Sequence, residues 1–229
     1  MGYGTMKIPF FSKKKKEEKK LDYKVVHPPN IGWLQKGLCK EEIDHLWKCI
    51  DDKGKNIKGT LVGNMSASYQ FVDKDNWFWS NTIAPLCQSY EKEFANLGDM
   101  IPTSSSHPYY LQNIWVNYQK KHEFNPSHNH SGVYSFVIWM KIPTIFSEQR
   151  KNPIAVDSNS QVISNFVFTY QNILGQSDSM YIYPMSPAME GCMVFFPSKL
   201  QHQVYPFFDC DETRISISGN VFMDTSRKL

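Results

Sequence analysis

The stretch HNHSGVYSFVIWMK, residues 128–141, joins a pair of histidines to a long apolar run. Its second part, Val133–Lys141, is rich in β-branched and aromatic residues and follows a Ser-Gly turn, which predicts a strand that begins just after the histidines. Side chains alternate along an extended chain, so His128 and His130 point to the same side if their segment is extended. Both imidazoles could then bind one metal ion.

More segments of extended character follow Pro102. Together with the first they predict at least six strands after two helices, a pattern that favours a mainly β (α+β) fold. We expect an antiparallel double-stranded β-helix, or jelly-roll barrel, with the N-terminal helices packed outside it. The additional predicted strands are Tyr109–Gln119, Val162–Tyr170, Met180–Tyr183, Cys192–Phe196 and Arg214–Phe222.

Two segments before Pro102 have apolar residues at helical spacing. The first runs from Cys39 to Ile50 and has two glutamates near its start, where the helix dipole favours negative charge. The second runs from about Trp77 to Leu97, with Pro85 either kinking it or marking its first turn, and Gly98 as its stop. We therefore divide the chain into a flexible lysine-rich arm (1–21), a helical support region (22–101) and a jelly-roll core (102–229).

Charge and cysteine content restrict the partners of the chain. The net charge of the 229 residues is +3, and residues 13–20 alone contribute six lysines and two glutamates, so the body has no basic surface for nucleic acid. Five cysteines form no C-x-x-C pair, which fits a reducing cytoplasm. No apolar run is long enough for a membrane helix. The sequence does not indicate an oligomeric state.

Two later segments carry candidate functional residues. His202 follows the predicted strand Cys192–Phe196 and a Pro-Ser turn, which should return it to the end of the barrel where His128 lies. Arg214 begins a strand in which Ser216, Ser218 and Asn220 share its face. If this polar face points inward, a buried guanidinium needs an anion, and a ligand carboxylate would supply one. The alternative is that the apolar face is the inner one and Arg214 is solvated.

The order of these residues resembles that of the Fe(II)- and 2-oxoglutarate-dependent dioxygenases. More narrowly, segments 125–132, 191–204 and 214–220 are similar to an oxygenase subfamily related to prolyl hydroxylases and common in marine bacteria and tailed phages. The similarity covers roughly residues 60 to 224. It implies a jelly-roll oxygenase that uses Fe(II), 2-oxoglutarate and O2, located in the cytoplasm, or in the host cytoplasm if phage-encoded.

The resemblance also implies roles for individual residues. His128 and His202 would be iron ligands, and Arg214 with Ser216 would bind the far carboxylate of 2-oxoglutarate. Further cosubstrate contacts are expected from Asn117 or Tyr118, of which only one can face inward, and from Tyr134 and Asn220.

The sequence departs from the superfamily at the second histidine, because the usual aspartate or glutamate is replaced by His130. Three arrangements are compatible with this change: a three-histidine site, a site with one position left to water or halide, and a site completed by a distant carboxylate such as Glu123. His130 could also lie outside the coordination shell, with His128 and His202 still holding the metal. We favour three histidines, since imidazole is a competent iron ligand.

We expect an enzyme that hydroxylates a peptide or protein side chain or a small molecule. One alternative is a three-histidine iron dioxygenase that does not use 2-oxoglutarate, although that reaction leaves Arg214 and Ser216 without a task. Another is a jelly-roll binding or structural module without catalysis. The polar segment 143–160 is predicted to be a surface loop near the mouth, where we expect specificity to lie.

Overall fold

Ten strands form two antiparallel sheets in the structure, a computed structural model that describes residues 30–172, 175 and 179–229. The larger sheet has six strands in the order β1-β8-β5-β10-β3-β2, and the smaller has four in the order β4-β9-β6-β7. The strands are β1 Leu34–Gly37, β2 Ala67–Gln70, β3 Tyr109–Gln119, β4 Asn125–His128, β5 Tyr134–Lys141, β6 Phe166–Tyr170, β7 Ser179–Tyr183, β8 Cys192–Pro197, β9 Gln201–Val204 and β10 Arg214–Met223.

This double-sheet architecture confirms the predicted fold class. All six predicted strands are present, and β3 has the predicted bounds. Four short strands were not predicted, namely β1, β2, β4 and β9, each of which has four residues. The described residues from Ile31 onward form one compact unit, and the predicted arm 1–21 lies outside the described residues.

The two faces of the larger sheet pack against different partners. Apolar residues of alternate positions, such as Val116, Ile138 and Ile217, are buried with the helices on the outer face. The residues between them point to the space between the two sheets. There, Trp139 and Val194 of the larger sheet pack with Phe166 and other aromatic residues of the smaller one. The alternation of each strand thus divides the core into a helix side and an inter-sheet side.

Helix α1 spans Lys40–Asp51, as predicted from its spacing. The second predicted helix is interrupted: a π turn at Trp79–Ile83 precedes α2, Ala84–Glu93. Pro85 explains the wider turn, because it has no N–H to donate to the carbonyl four residues earlier. The helix ends before the predicted Leu97, at Phe94, where the backbone leaves the helical region.

Glu42 ties these helices to the sheet. Its carboxylate is buried and accepts hydrogen bonds from the Lys36 ammonium at 2.6 Å, the Thr82 hydroxyl at 2.6 Å and the Cys39 N–H at 2.8 Å. Burial alone would raise the pKa of Glu42, but these donors, Lys36 foremost, hold it below its ordinary value. The carboxylate therefore stabilises the fold as an anion.

The polar segment 143–160 includes a short helix, α3, at Phe146–Gln149. Gln149 exchanges two hydrogen bonds with the backbone of Phe208, both 2.8 Å long. Arg150 donates to the carbonyls of Ala155, Ser158 and Ser160. The segment is therefore held by polar contacts within itself and to the backbone of Phe208.

Candidate functional site

Three histidines meet at the edge of the smaller sheet. His128 ends β4 and is the cross-strand partner of His202 in β9, while His130 follows two residues later and donates its backbone N–H to the Ser198 carbonyl. One ring nitrogen from each histidine lies within 4.8 Å of the other two. The structure thus brings together the pair from the HNH motif and the late histidine, as the strand pattern predicted.

Hydrogen bonds set the orientation of two of these rings. Nδ1 of His128 is 2.7 Å from the Pro126 carbonyl, and Nδ1 of His202 is 2.9 Å from the Leu200 carbonyl. In each ring Nδ1 must donate, so Nε2 carries a lone pair and faces the cluster. Nε2 of His202 lies 3.1 Å from Nε2 of His130.

Burial keeps all three imidazoles uncharged at neutral pH. It lowers the pKa of His130 to about 4, with a smaller contribution from the nearby His128, and it lowers the pKa of His202 well below its ordinary value. Burial also lowers the pKa of His128, against the opposing effect of the Pro126 carbonyl. Neutral imidazole is the form that binds metals.

The donor set fits a divalent metal ion. Two nitrogens that coordinate one ion at right angles, each at about 2.1 Å, lie about 3.0 Å apart, close to the separation of His130 and His202. No aspartate or glutamate of the described residues lines the pocket around them. Glu123, the alternative carboxylate, accepts hydrogen bonds from Ser66 and the Lys120 N–H outside this pocket. The geometry favours the three-histidine arrangement.

The histidines line a cavity of about 430 Å³ between the sheets. Its wall includes the inward faces of β3 and β10, whose residues pair across the strands as Gln119 with Arg214, Asn117 with Ser216, Trp115 with Ser218 and Asn113 with Asn220. Trp115 lies next to the three-histidine cluster, since its ring centroid is 5.9 Å from that of His130. The polar face of β10 therefore points inward, as one of the two interpretations of the sequence required.

Arg214 is a buried cation without a carboxylate partner among the described residues. Its Nη2 donates to the carbonyl and hydroxyl of Ser164, both at 2.8 Å, and its guanidinium lies 4.9 Å from the ring centre of Phe207. Its Nε is buried without a hydrogen-bond partner in the described part of the chain. Burial lowers the pKa of Arg214 to about 9, which leaves the group charged at neutral pH. Such a cation fits an anionic ligand.

The other predicted cosubstrate residues divide between the two faces of the sheet. Ser216, Asn117 and Asn220 line the cavity. Tyr118 and Tyr134 do not, and the expectation that they contact the cosubstrate is corrected. Both belong to the helix side of the sheet, where Tyr134 is buried against other aromatic rings and Tyr118 packs near Tyr69. Their position follows from alternation, because Tyr118 is out of phase with Asn117 and Gln119, and Tyr134 is out of phase with Val137 and Trp139.

Several residues of the site were not predicted from the sequence. Asn113, Trp115 and Gln119 alternate with apolar residues along β3, and this period-two pattern could have identified them. Ser164 gave no such signal, since it reaches Arg214 from a loop with a left-handed backbone, φ 64°. The predicted specificity segment 143–160 does not line the cavity. Instead, residues of segment 57–65 do, where Asn64 bridges to Phe124.

Comparison with protein families agrees with this geometry. Residues 113–220 match a family described as "Putative 2OG-Fe(II) oxygenase". The matched range begins on β3 and includes all three histidines and Arg214. Residues 113–220 are therefore similar to the 2OG-Fe(II) oxygenases. This family uses Fe(II), 2-oxoglutarate and O2, so the enzyme class and the cofactors predicted from the sequence are confirmed at this level. No curated protein matches the chain.

Solved structures with similar folds are distant in sequence. The 2-oxoglutarate-dependent epimerase SnoN from nogalamycin biosynthesis superposes with a TM-score of 0.52 and 13% identity, over 85% of this chain and 78% of that one. A 2OG-Fe(II) oxygenase family oxidoreductase from Burkholderia pseudomallei has a TM-score of 0.49 and 12% identity, over 83% and 85%. A Pseudomonas putida prolyl-4-hydroxylase has a TM-score of 0.47 and 12% identity, over 87% of this chain and 94% of that one. The similarity to SnoN supports the fold of this oxygenase.

In the described ranges, no helix combines the length and apolar character that crossing a membrane requires.

Proposed function

We propose that this oxygenase is a hydroxylase in which His128, His130 and His202 hold Fe(II) and Arg214 binds the far carboxylate of 2-oxoglutarate. The observation that carries the proposal is a single cavity containing both a cluster of three uncharged imidazoles and a buried guanidinium without an acidic partner among the described residues. The first is suited to a divalent metal, and the second to a carboxylate.

Bound Fe(II), 2-oxoglutarate and O2 together supply the oxidant that removes a hydrogen atom from the substrate. The residues of this chain provide the binding and the shielding. Three neutral histidines leave coordination positions for ligands other than protein. Arg214 orients the dicarboxylate, with Ser216 beside it, and Ser164 fixes the guanidinium from behind. The aromatic wall of Trp139 and Phe166 limits the access of water.

A three-histidine dioxygenase that does not use 2-oxoglutarate is less consistent with the cavity, because Arg214 would then be a buried cation without a ligand. We place the substrate in the same cavity, as either a peptide or protein side chain or a small molecule. The narrower similarity to oxygenases of marine bacteria and tailed phages, and a cytoplasmic location, are also part of this proposal. Five free cysteines fit such a location.

The test is an anaerobic titration of the purified protein with Fe(II) and then 2-oxoglutarate, followed by visible absorption. A charge-transfer band that appears only with both ligands supports the proposal. Binding of Fe(II) without the band would favour the reaction that does not use 2-oxoglutarate. A protein that binds no iron would instead be a jelly-roll binding module.

A further inference from the structure

The cavity lining continues along β10 past the level of the three-histidine cluster, on the side away from Arg214. Trp115 and its cross-strand partner Ser218 mark the level of the cluster, through the contact of Trp115 with His130. Arg214 lies four residues from Ser218 in one direction along β10, and Asn220 lies two residues from it in the other. If 2-oxoglutarate spans from Arg214 to the metal, the wall around Asn220 is left for the substrate.

The lining of this cavity is almost free of charge. Apart from Arg214 and the neutral histidines, the described lining residues include no lysine, aspartate or glutamate. A substrate ammonium group would find no counterion there, and a second carboxylate would have to compete for Arg214. An uncompensated charge is costly to bury, so the cavity favours an uncharged substrate.

Amide side chains supply most of the remaining polarity. Five asparagines line the cavity: Asn113, Asn117, Asn125, Asn129 and Asn220. Asn117 is already engaged, because its Oδ1 accepts a hydrogen bond from the Ser68 hydroxyl at 2.8 Å. Asn113 and Asn220 differ from the other three asparagines because they are direct cross-strand partners of each other.

The hydrogen bonds of this pair leave the acceptor Oδ1 of Asn113 and the amide donors of both residues available among the described contacts. Oδ1 of Asn220 accepts from the Ser135 hydroxyl at 2.7 Å, which leaves its Nδ2 as the donor toward the cavity. Oδ1 of Asn113 is buried without a partner among the described residues. Asn113 also lines the cavity, so a rotation about χ2, a soft torsion in asparagine, would bring this oxygen toward a bound ligand. An orphaned buried acceptor implies a ligand that supplies a donor.

We propose that Asn113 and Asn220 together bind an uncharged amide group of the substrate. The amide N–H donates to Oδ1 of Asn113, and the amide carbonyl accepts from Nδ2 of Asn220. The substrate is then a peptide or another carboxamide, and a free zwitterionic amino acid is excluded. This inference rests on the proposed function, since it places 2-oxoglutarate at Arg214.

The experiment compares two pools of tripeptides made from the same uncharged amino acids. One pool is N-acetylated and C-amidated, and the other has free termini; N-methylacetamide is a third probe. Binding is followed anaerobically in protein loaded with Fe(II) and 2-oxoglutarate, by the fluorescence of tryptophans such as Trp115. We expect the blocked pool to bind at least about tenfold more tightly than the free pool. If N-methylacetamide binds more strongly than the blocked pool, the amide group that the cavity recognises belongs to a small carboxamide rather than to a peptide.

Variants assign this binding to the asparagine pair. Asn113→Leu and Asn220→Leu should each weaken binding of the preferred amide probe about tenfold, the effect of one buried hydrogen bond. Asn81→Leu, at an exposed asparagine outside the cavity, is the matched control. If a leucine variant does not fold, Asn113→Ala or Asn220→Ala replaces it.

Equal binding of the two pools, no binding of either amide probe, or unchanged binding in both asparagine variants would overturn the inference. The charge-transfer band with 2-oxoglutarate is recorded for every variant. A band that persists while amide binding fails leaves the proposed function intact, whereas a wild-type protein without the band refutes the proposed function itself.

Discussion

The two faces of strand β10 serve different purposes. On the outer face, Ile217 and Val221 are fully buried with residues of the helices. On the inner face, Arg214 and Asn220 are also buried, but as polar groups beside a cavity. Burying polar groups without strong partners costs free energy, whereas burying the apolar face gains it. The outer face stabilises the strand, and the inner face can therefore carry costly residues for binding.

The largest effect should come from the three-histidine cluster. His202→Ala removes the most buried of the three imidazoles, so we expect Fe(II) affinity to fall by more than about 100-fold, beyond the loss typical of a residue that only supports a ligand. Isothermal titration under anaerobic conditions measures this affinity. His122→Asn, at an exposed histidine with a positive φ that asparagine tolerates, is the control. Unchanged iron binding in His202→Ala would refute the assignment of the cluster.

Arg214→Met tests the inner face of β10 at the end of the strand that carries the buried cation. We expect 2-oxoglutarate affinity to fall roughly 100-fold, because the ligand carboxylate would be buried without its cation. Fe(II) affinity should not change. The free energy of unfolding should stay the same or increase, since a buried cation with an unpaired Nε is replaced by an apolar chain.

Chemical denaturation and the absorption titration measure these quantities for Arg214→Met. The matched control is Arg227→Met at an exposed arginine. A clear loss of stability with normal 2-oxoglutarate binding would show that Arg214 is a structural residue, and the contrast between the two faces would not hold.

Ile217→Val tests the outer face of the same strand. Removal of one buried methylene should lower the free energy of unfolding by about 1 kcal/mol. Affinities for Fe(II) and 2-oxoglutarate should match those of the wild type, since Ile217 faces the helices. A change in either affinity without a change in stability would mean that the two faces are coupled.

The smallest effect concerns pH. The folded-state pKa of Glu42 lies below its unfolded value, so its contribution to stability is fully present above pH 4.5 and is lost as the pH falls through the folded pKa. Glu42→Gln should flatten the acid limb of a plot of unfolding free energy against pH. The absorption band with 2-oxoglutarate at neutral pH should not change. An acid limb identical to that of the wild type would show that Glu42 does not contribute.

The sequence predicted the three histidines and Arg214 better than it predicted the residues that surround them. The histidine pair was recognisable because it stands directly before a long apolar strand, and Arg214 because its polar face is regular. Tyr118 and Tyr134 were predicted to contact the cosubstrate, but both lie on the opposite face of the sheet. The sequence does show that Tyr118 and its neighbour Asn117 point to opposite faces. To decide which face of each strand lines the cavity, one must know which side of the larger sheet the helices cover.

The sequence by itself determined the six longer strands, the type of fold and the residues suited to a metal and a carboxylate, because alternation and residue chemistry are local properties. Tertiary structure decided which of these residues meet. His128 and His202 are 74 residues apart and become neighbours only through the pairing of β4 with β9, two strands too short to be predicted. Ser164 reaches Arg214, and segment 57–65 reaches the cavity, through contacts between distant segments that no local pattern encodes.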